Sequence, residues 1–168
     1  MAKSFLFLAD GFEEIEALGS VATVSITTER TVRGAHGVEV RADLTFKEAD
    51  FGGSDWLILP GGMPGAVNLH EFAPLNDLLR VHHGRIAAIC ASPSLVLGPA
   101  GVVRGLPATC YPGMERDMVD GGAVAETERA VVVTERVITG RGPGATYAFA
   151  LAIVAATAGE ERAREVAS

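Results

Sequence analysis

The sequence predicts an α/β protein built on a mostly parallel sheet covered by helices on both faces. Three observations carry this. Short runs that are apolar throughout, rather than alternating, recur along the chain, as strands buried on both faces require. Segments with helical spacing of apolar residues lie between them. Glycine (20 residues) and proline (8) punctuate these elements as turns, with no repeat, low-complexity run or linker. The length of 168 residues, 48% hydrophobic, supplies one core and marks 1–168 as a single domain.

Taken in order, Ser4–Ala9 reads as a buried strand, followed by Asp10-Gly11-Phe12-Glu13-Glu14-Ile15-Glu16, whose carboxylates suit the first turn of a helix. A second strand spans Val21–Thr27. Only residues 10–19 separate the two, short for a parallel crossover of about a dozen, so the first crossover is expected to be shortened. Val38–Arg41 is a weaker strand, entered through Gly34-Ala35-His36-Gly37 as a hairpin tip. Trp56–Leu59 is a buried strand closed by the glycine turn Pro60-Gly61-Gly62-Met63-Pro64-Gly65. Ala66–His83 follows as one helix, with Val67, Leu75, Leu78, Leu79 and His82 at roughly helical spacing. Arg85–Cys90 is another buried strand, and Ala130–Val133 and Val137–Thr139 are weaker ones. Pro143 and Gly159 bracket an Ala-rich helix through Leu151 and Val154, as an N-terminal proline and a C-terminal glycine do.

Composition excludes several functions. Lys and Arg number 14 against 21 Asp and Glu, a formal charge of -7, so a phosphate backbone would meet a repulsive field and nucleic-acid binding is disfavoured. The first apolar run breaks at once into acidic sequence, unlike a signal peptide, and no stretch reaches membrane-spanning length. A cytoplasmic location is therefore expected, with Cys90 and Cys110 as thiols. His36, His70, His82 and His83 make no zinc-ligand spacing with either cysteine, so no metal is expected. The glycine turns lack both the dinucleotide spacing and the P-loop lysine, which removes a nucleotide cofactor.

In a parallel sheet, function gathers where the carboxyl ends of the strands run into loops. There, Arg85–Cys90 leads into Ala91-Ser92-Pro93 and sets a sulfur at a helix N-terminus, where a thiolate is stabilised. Two readings stay open for Cys90, a nucleophile or a packed core thiol. Cys110 lacks such a helix start and reads as a packed cysteine, or as a resolving thiol for Cys90. Glu13, Glu14 and Glu16 are by default solvated, but Glu16 beside Ile15 could enter the cleft. Burial and a nearby thiolate would there keep its carboxyl protonated and able to donate to sulfur. Gly61-Gly62 can bring backbone amides close to a developing oxyanion, and Gly140–Gly144 has helix capping as its ordinary role.

Taken together, Phe7-Leu8-Ala9-Asp10-Gly11-Phe12-Glu13-Glu14-Ile15-Glu16-Ala17, Leu59-Pro60-Gly61-Gly62, Ala87-Ala88-Ile89-Cys90-Ala91 and Gly140-Arg141-Gly142-Pro143-Gly144 resemble the ThiJ/PfpI superfamily. The likeness is to the branch of the parkinsonism-associated protein deglycase and its bacterial relatives. The resemblance implies a flavodoxin-like fold, with Cys90 on a strained strand-to-helix elbow beside a protonated Glu16. It implies oxyanion donors at the backbone amides of Gly62 and Ala91, and Gly61, Tyr111 and His36 are assigned to the substrate pocket. It also implies a homodimer without cofactor, activity on glyoxals or glycated groups, and a role in oxidative-stress protection. Tyr111 stands where many relatives carry a histidine, so a Cys-His dyad and protease chemistry are not expected.

The function expected from these residues is that of a cofactor-independent thiol enzyme of deglycase or glyoxalase type, acting on reactive dicarbonyls or glycated adducts. Two alternatives use the same site: a redox-responsive chaperone or sensor in which Cys90 is oxidised to a sulfinic acid, and a non-catalytic dimeric domain.

Overall fold

The computed structural model describes residues 3–12 and 22–168. Its strands, in chain order, are β1 (Ser4–Leu8), β2 (Ala22–Ser25), β3 (Thr31–Arg33), β4 (Glu39–Arg41), β5 (Leu44–Thr45) and β6 (Trp56–Leu59). β7 (Arg85–Ile89), β8 (Pro107–Ala108), β9 (Val124–Ala125), β10 (Val131–Val133) and β11 (Val137–Gly140) complete them. The α-helices are α1 (Gly65–Glu71), α2 (Ala73–Val81), α3 (Gly98–Ala100), α4 (Arg116–Asp120), α5 (Thr146–Ala158) and α6 (Glu160–Ala167).

Among the described residues one seven-stranded sheet dominates, in the order β10-β11-β7-β6-β1-β2-β5. Every neighbouring pair in it is parallel except β10 with β11. The uninterrupted apolar runs are the cause. In β1 all five residues are buried, with Phe5 and Phe7 in one core cluster and Leu6 and Leu8 in the other. β6 and β7 divide in the same way, Leu57, Leu59, Ile86 and Ala88 against Ile58, Ala87 and Ile89. A strand flanked by two cores needs cover on both faces. Leu69 of α1, Leu75 and Leu79 of α2 and Met118 of α4 cover one face, and Phe149 of α5 covers the other. α5 is pinned to the sheet by polar contacts as well. Trp56 Nε1 donates to Thr157 Oγ1 at 2.9 Å, and Arg85 Nη1 donates to the Ala156 carbonyl at 2.7 Å.

The predicted fold class is the observed one. The single helix expected over Ala66–His83 is instead two, α1 and α2, divided at Phe72, whose φ of -80° and ψ of 90° are extended. Pro74 explains the break: it has no N–H for an upstream carbonyl and suits only the first turn of a new helix. The strand expected through Cys90 ends at Ile89, and the helix expected from Pro143 begins as a 3-10 turn, Pro143–Ala145, before α5. Residues 9–21 lie between β1 and β2; of these, 13–21, with Glu13, Glu14 and Glu16, fall outside the described residues. No helix among the described residues is long and apolar enough to cross a membrane.

Candidate active site

β1 is flanked by β2 on one side and β6 on the other, so the chain changes winding direction between β1 and β6. Such a switch point opens a crevice at the carboxyl ends of the strands. The loops there meet as bare backbone. Gly11, at φ +86°, has no room for a side chain, since a Cβ would lie 2.5 Å from Pro64 Cδ and 2.9 Å from the Gly65 nitrogen. The Gly65 amide donates to the Gly11 carbonyl at 3.2 Å, and Asn68 Nδ2 donates to the Asp10 carbonyl at 2.6 Å. These contacts fix the loop after β1 against the one after β6.

The next strand, β7, delivers Cys90 into the same edge. Cys90 has φ 63° and is the one non-glycine residue at positive φ among the described residues. A Cβ in that region costs about 1–2 kcal/mol, so the turn persists only because its surroundings hold it. The Cys90 amide donates to the Gly140 carbonyl at 2.9 Å, and its carbonyl accepts from the Tyr111 amide at 2.8 Å. Two residues on, the fully buried Ser92 donates its hydroxyl to the Pro60 carbonyl at 2.5 Å. That bond ties the elbow after β7 to the glycine turn after β6. The chain then winds as a π-helical turn, Pro93–Leu97, a geometry often found beside functional sites. Ser94 secures it, donating to the Met114 carbonyl and accepting from the Met118 amide at 3.1 Å.

The geometry gathers Cys90, Ala91, Gly61 and Gly62 at adjoining strand ends. Gly62, at φ 91°, uses its carbonyl to accept from the Ala66 amide at 2.8 Å. Neither the Gly62 nor the Ala91 amide donates a hydrogen bond to any described residue. Tyr111 is brought in by its amide bond to Cys90, with its ring over Gly142, where a Cβ would stand 3.3 Å from Tyr111 Cδ2. It lines a cavity of about 250 Å³ with Pro112, Arg141 and Pro143. His36 is exposed at the tip between β3 and β4, whose base is stitched to the first loop by Gly11 N–H to Arg33 O and Ala35 N–H to Phe12 O, both 2.8 Å. Glu16 lies outside the described residues.

The two thiols differ in surroundings. Cys90 is 8% exposed and packs in one core cluster, whereas Cys110 is 3% exposed and packs in the other. Burial pushes the Cys110 thiol up to about 12, with the Glu115 carboxylate and an ionised Cys90 adding in the same direction. Glu115 itself is held below the usual carboxylate range, chiefly because the Gly113 amide donates to it at 2.9 Å. A thiol so raised is neutral at physiological pH and a poor nucleophile. No cluster of three metal-ligating side chains occurs among the described residues.

Sequence reasoning passed over Ser92 and Asn68 as site-building residues, and singled out the Gly140–Gly144 loop without the Gly140 carbonyl's bond to Cys90. Ser92 carried one usable signal, a short hydroxyl beside the cysteine and ahead of a proline. The carbonyl of Gly140 carried none, because main-chain partners leave no mark on residue type.

Comparison with known proteins agrees with this architecture. The chain is 35% identical to Protein dj-1beta of Drosophila melanogaster over 99% of its own length and 96% of that protein's. The solved structure of that Drosophila protein superposes with a TM-score of 0.91, covering 99% of this chain and 96% of that one at 34% identity. Oxidised Toxoplasma gondii DJ-1 superposes at 0.90 and 30% identity, with 99% and 96% covered. A Pyrococcus horikoshii protein named a deglycase is 34% identical over 86% of this chain and 93% of its own. The chain spans 44% and 40% of the length of two Arabidopsis thaliana relatives, DJ-1 homologs A and B. The model of the DJ-1/PfpI family matches residues 2–156. With the fold and this match in agreement, the chain belongs to the DJ-1/PfpI family.

Proposed function

We propose that this protein is a cofactor-independent thiol enzyme of the deglycase or glyoxalase type, acting on small 2-oxoaldehydes or on the adducts they form. The observation that carries the reading is the positive-φ elbow at Cys90, set at the carboxyl end of β7 and tied through Ser92 to the glycine turn after β6; the Gly62 and Ala91 amides, one in each turn, have no described acceptor. Strain of this kind concentrates at functional sites. The deglycase names of relatives from Pyrococcus horikoshii and Pyrococcus abyssi support the substrate class.

In this reading the Cys90 thiolate adds to the aldehyde carbon, forming a C–S bond and an oxyanion. The Gly62 and Ala91 amides donate to that oxygen. A proton then leaves the former aldehyde carbon and is returned to the neighbouring carbonyl carbon, while the oxygen on that neighbouring carbon takes up a proton from solvent, the one given up when the thiol ionised, producing the thioester of a 2-hydroxy acid. Glu16 is assigned this transfer from the sequence. Water cleaves the thioester, releasing the 2-hydroxy acid and restoring the thiol. Gly61, Tyr111 and His36 are assigned to the substrate pocket. The single domain 1–168 works as a cytoplasmic homodimer, for which light scattering at micromolar concentration should return twice the chain mass.

Methylglyoxal turnover tests the reading. The parent should form lactate and Cys90→Ser should form none while keeping its circular dichroism. Lactate formation by Cys90→Ser would end the thiol mechanism. A second reading, an oxidative-stress sensor using Cys90, is favoured by one observation: the Toxoplasma gondii relative was solved in an oxidised form. A folded parent that makes no lactate yet gains two oxygens at Cys90 in peroxide would put that reading first.

A further inference from the structure

A second cleft lies at the opposite, amino edge of the sheet, where β7 and β11 begin. It has a volume of about 550 Å³, within the range of small-molecule sites. Its floor includes Ile86, Leu106 and Val137, and its walls carry Arg80, Arg104 and Arg136 against a single carboxylate, Glu135. In a chain of net charge -7, this concentration of guanidinium groups runs against the overall composition.

The arginines differ in how far they are committed. Arg136 is preset: Nη2 donates to the His82 carbonyl at 2.7 Å and to the Gly84 carbonyl at 3.3 Å, and Nε reaches the same Gly84 oxygen at 3.4 Å. Its Nη1 donates to no described residue, so one edge of a fixed fork is left over. Arg104 packs its Cγ beside Gly122, and its guanidinium makes no hydrogen bond or ion pair with any described residue. Arg80 has one partner among the described residues, Asp77 at 3.1 Å, in a pair exposed to water. Two guanidinium groups with unused donors above an apolar floor form a surface that would hold a planar anionic head and shelter an apolar body.

We propose that this cleft binds a small organic carboxylate with an apolar body, its head between Arg104 and Arg136 and its body on Ile86, Leu106 and Val137. The site is separate from Cys90 and does not depend on the function proposed for it.

The test uses phenylacetate as the probe, with phenylacetamide as its neutral counterpart and inorganic phosphate as a bare anion, titrated into the full chain by NMR and calorimetry. Phenylacetate should bind saturably with a millimolar or lower Kd, and Arg104→Gln and Arg136→Gln should each weaken it about tenfold. Binding should survive unchanged in Cys90→Ser. Arg104→Gln is the deciding variant, because Arg104 supports no main-chain group and Arg136 does. No saturation below about 10 mM would overturn the proposal, since that is weaker than any useful site of this size. So would equal binding of phenylacetamide or of bare phosphate, loss of binding in Cys90→Ser, or undiminished binding in Arg104→Gln.

Discussion

At the scale of single residues, Cys90 places a side chain where glycine would sit without strain. Its sulfur therefore has a reason to be there that packing alone does not supply. The strain has a measurable sign. Cys90→Gly and Cys90→Ala both remove the sulfur, but only the glycine relieves the left-handed backbone. In urea denaturation Cys90→Gly should be more stable than Cys90→Ala by about 1 kcal/mol, although glycine costs more entropy on folding. An alanine variant of equal or greater stability would show that the elbow carries no strain. Cys90 itself was legible in the sequence, because a buried run ending in Cys-Ala-Ser-Pro marks a strand feeding a helix. Its strained φ was legible only through the family resemblance, which implies such an elbow, and not from the local residues, since the main-chain bonds to Gly140 and Tyr111 that hold it come from residues about 50 and 20 positions away.

Between elements, the Ser92 hydroxyl joins the elbow after β7 to the glycine turn after β6. Pro60 is buried, so Ser92→Ala would leave its carbonyl without that donor, at a cost of about 1–3 kcal/mol. The two proposed oxyanion amides would lose their fixed spacing as well. Methylglyoxal turnover by Ser92→Ala should therefore fall in kcat with KM little changed, and a variant with parental kcat would remove Ser92 from the site's support. Legibility at this scale followed burial. β1, β6 and β7 stand out because every residue except Arg85 is buried. β5, β8 and β9 do not, because two residues give no period to read. α6 was missed for a different reason: Gly159 ends α5 and also caps the start of a largely charged helix, and only the first role was anticipated.

Over the whole molecule, the sheet separates two edges of different character. The carboxyl edge holds the thiol and glycine loops, and the amino edge holds the arginine cleft with the buried His82. Burial pushes the His82 imidazole below its ordinary value, with Arg136 and His83 acting in the same direction and a hydrogen bond to the Arg85 backbone opposing them. Its Nε2 has no partner among the described residues. Around and below the ordinary value of about 6.5, the unfolded chain holds more proton at this position than the folded one. Protons then favour unfolding, and stability should fall as pH drops below about 6.5. Urea midpoints between pH 7.5 and about 5.5 should show this decline, and His82→Gln should flatten it. A parent midpoint that is level across that range would contradict the assignment. The same two-edged arrangement bears on thiol selectivity, for the molecule carries two cysteines and only one ends a strand at the switch-point edge. Iodoacetamide at pH 7 followed by peptide mapping tests this most directly. Cys90 should be modified, while Cys110, raised to about 12 by its burial, should stay intact in the folded protein. Modification of Cys110 ahead of Cys90, or of neither until the protein unfolds, would contradict it.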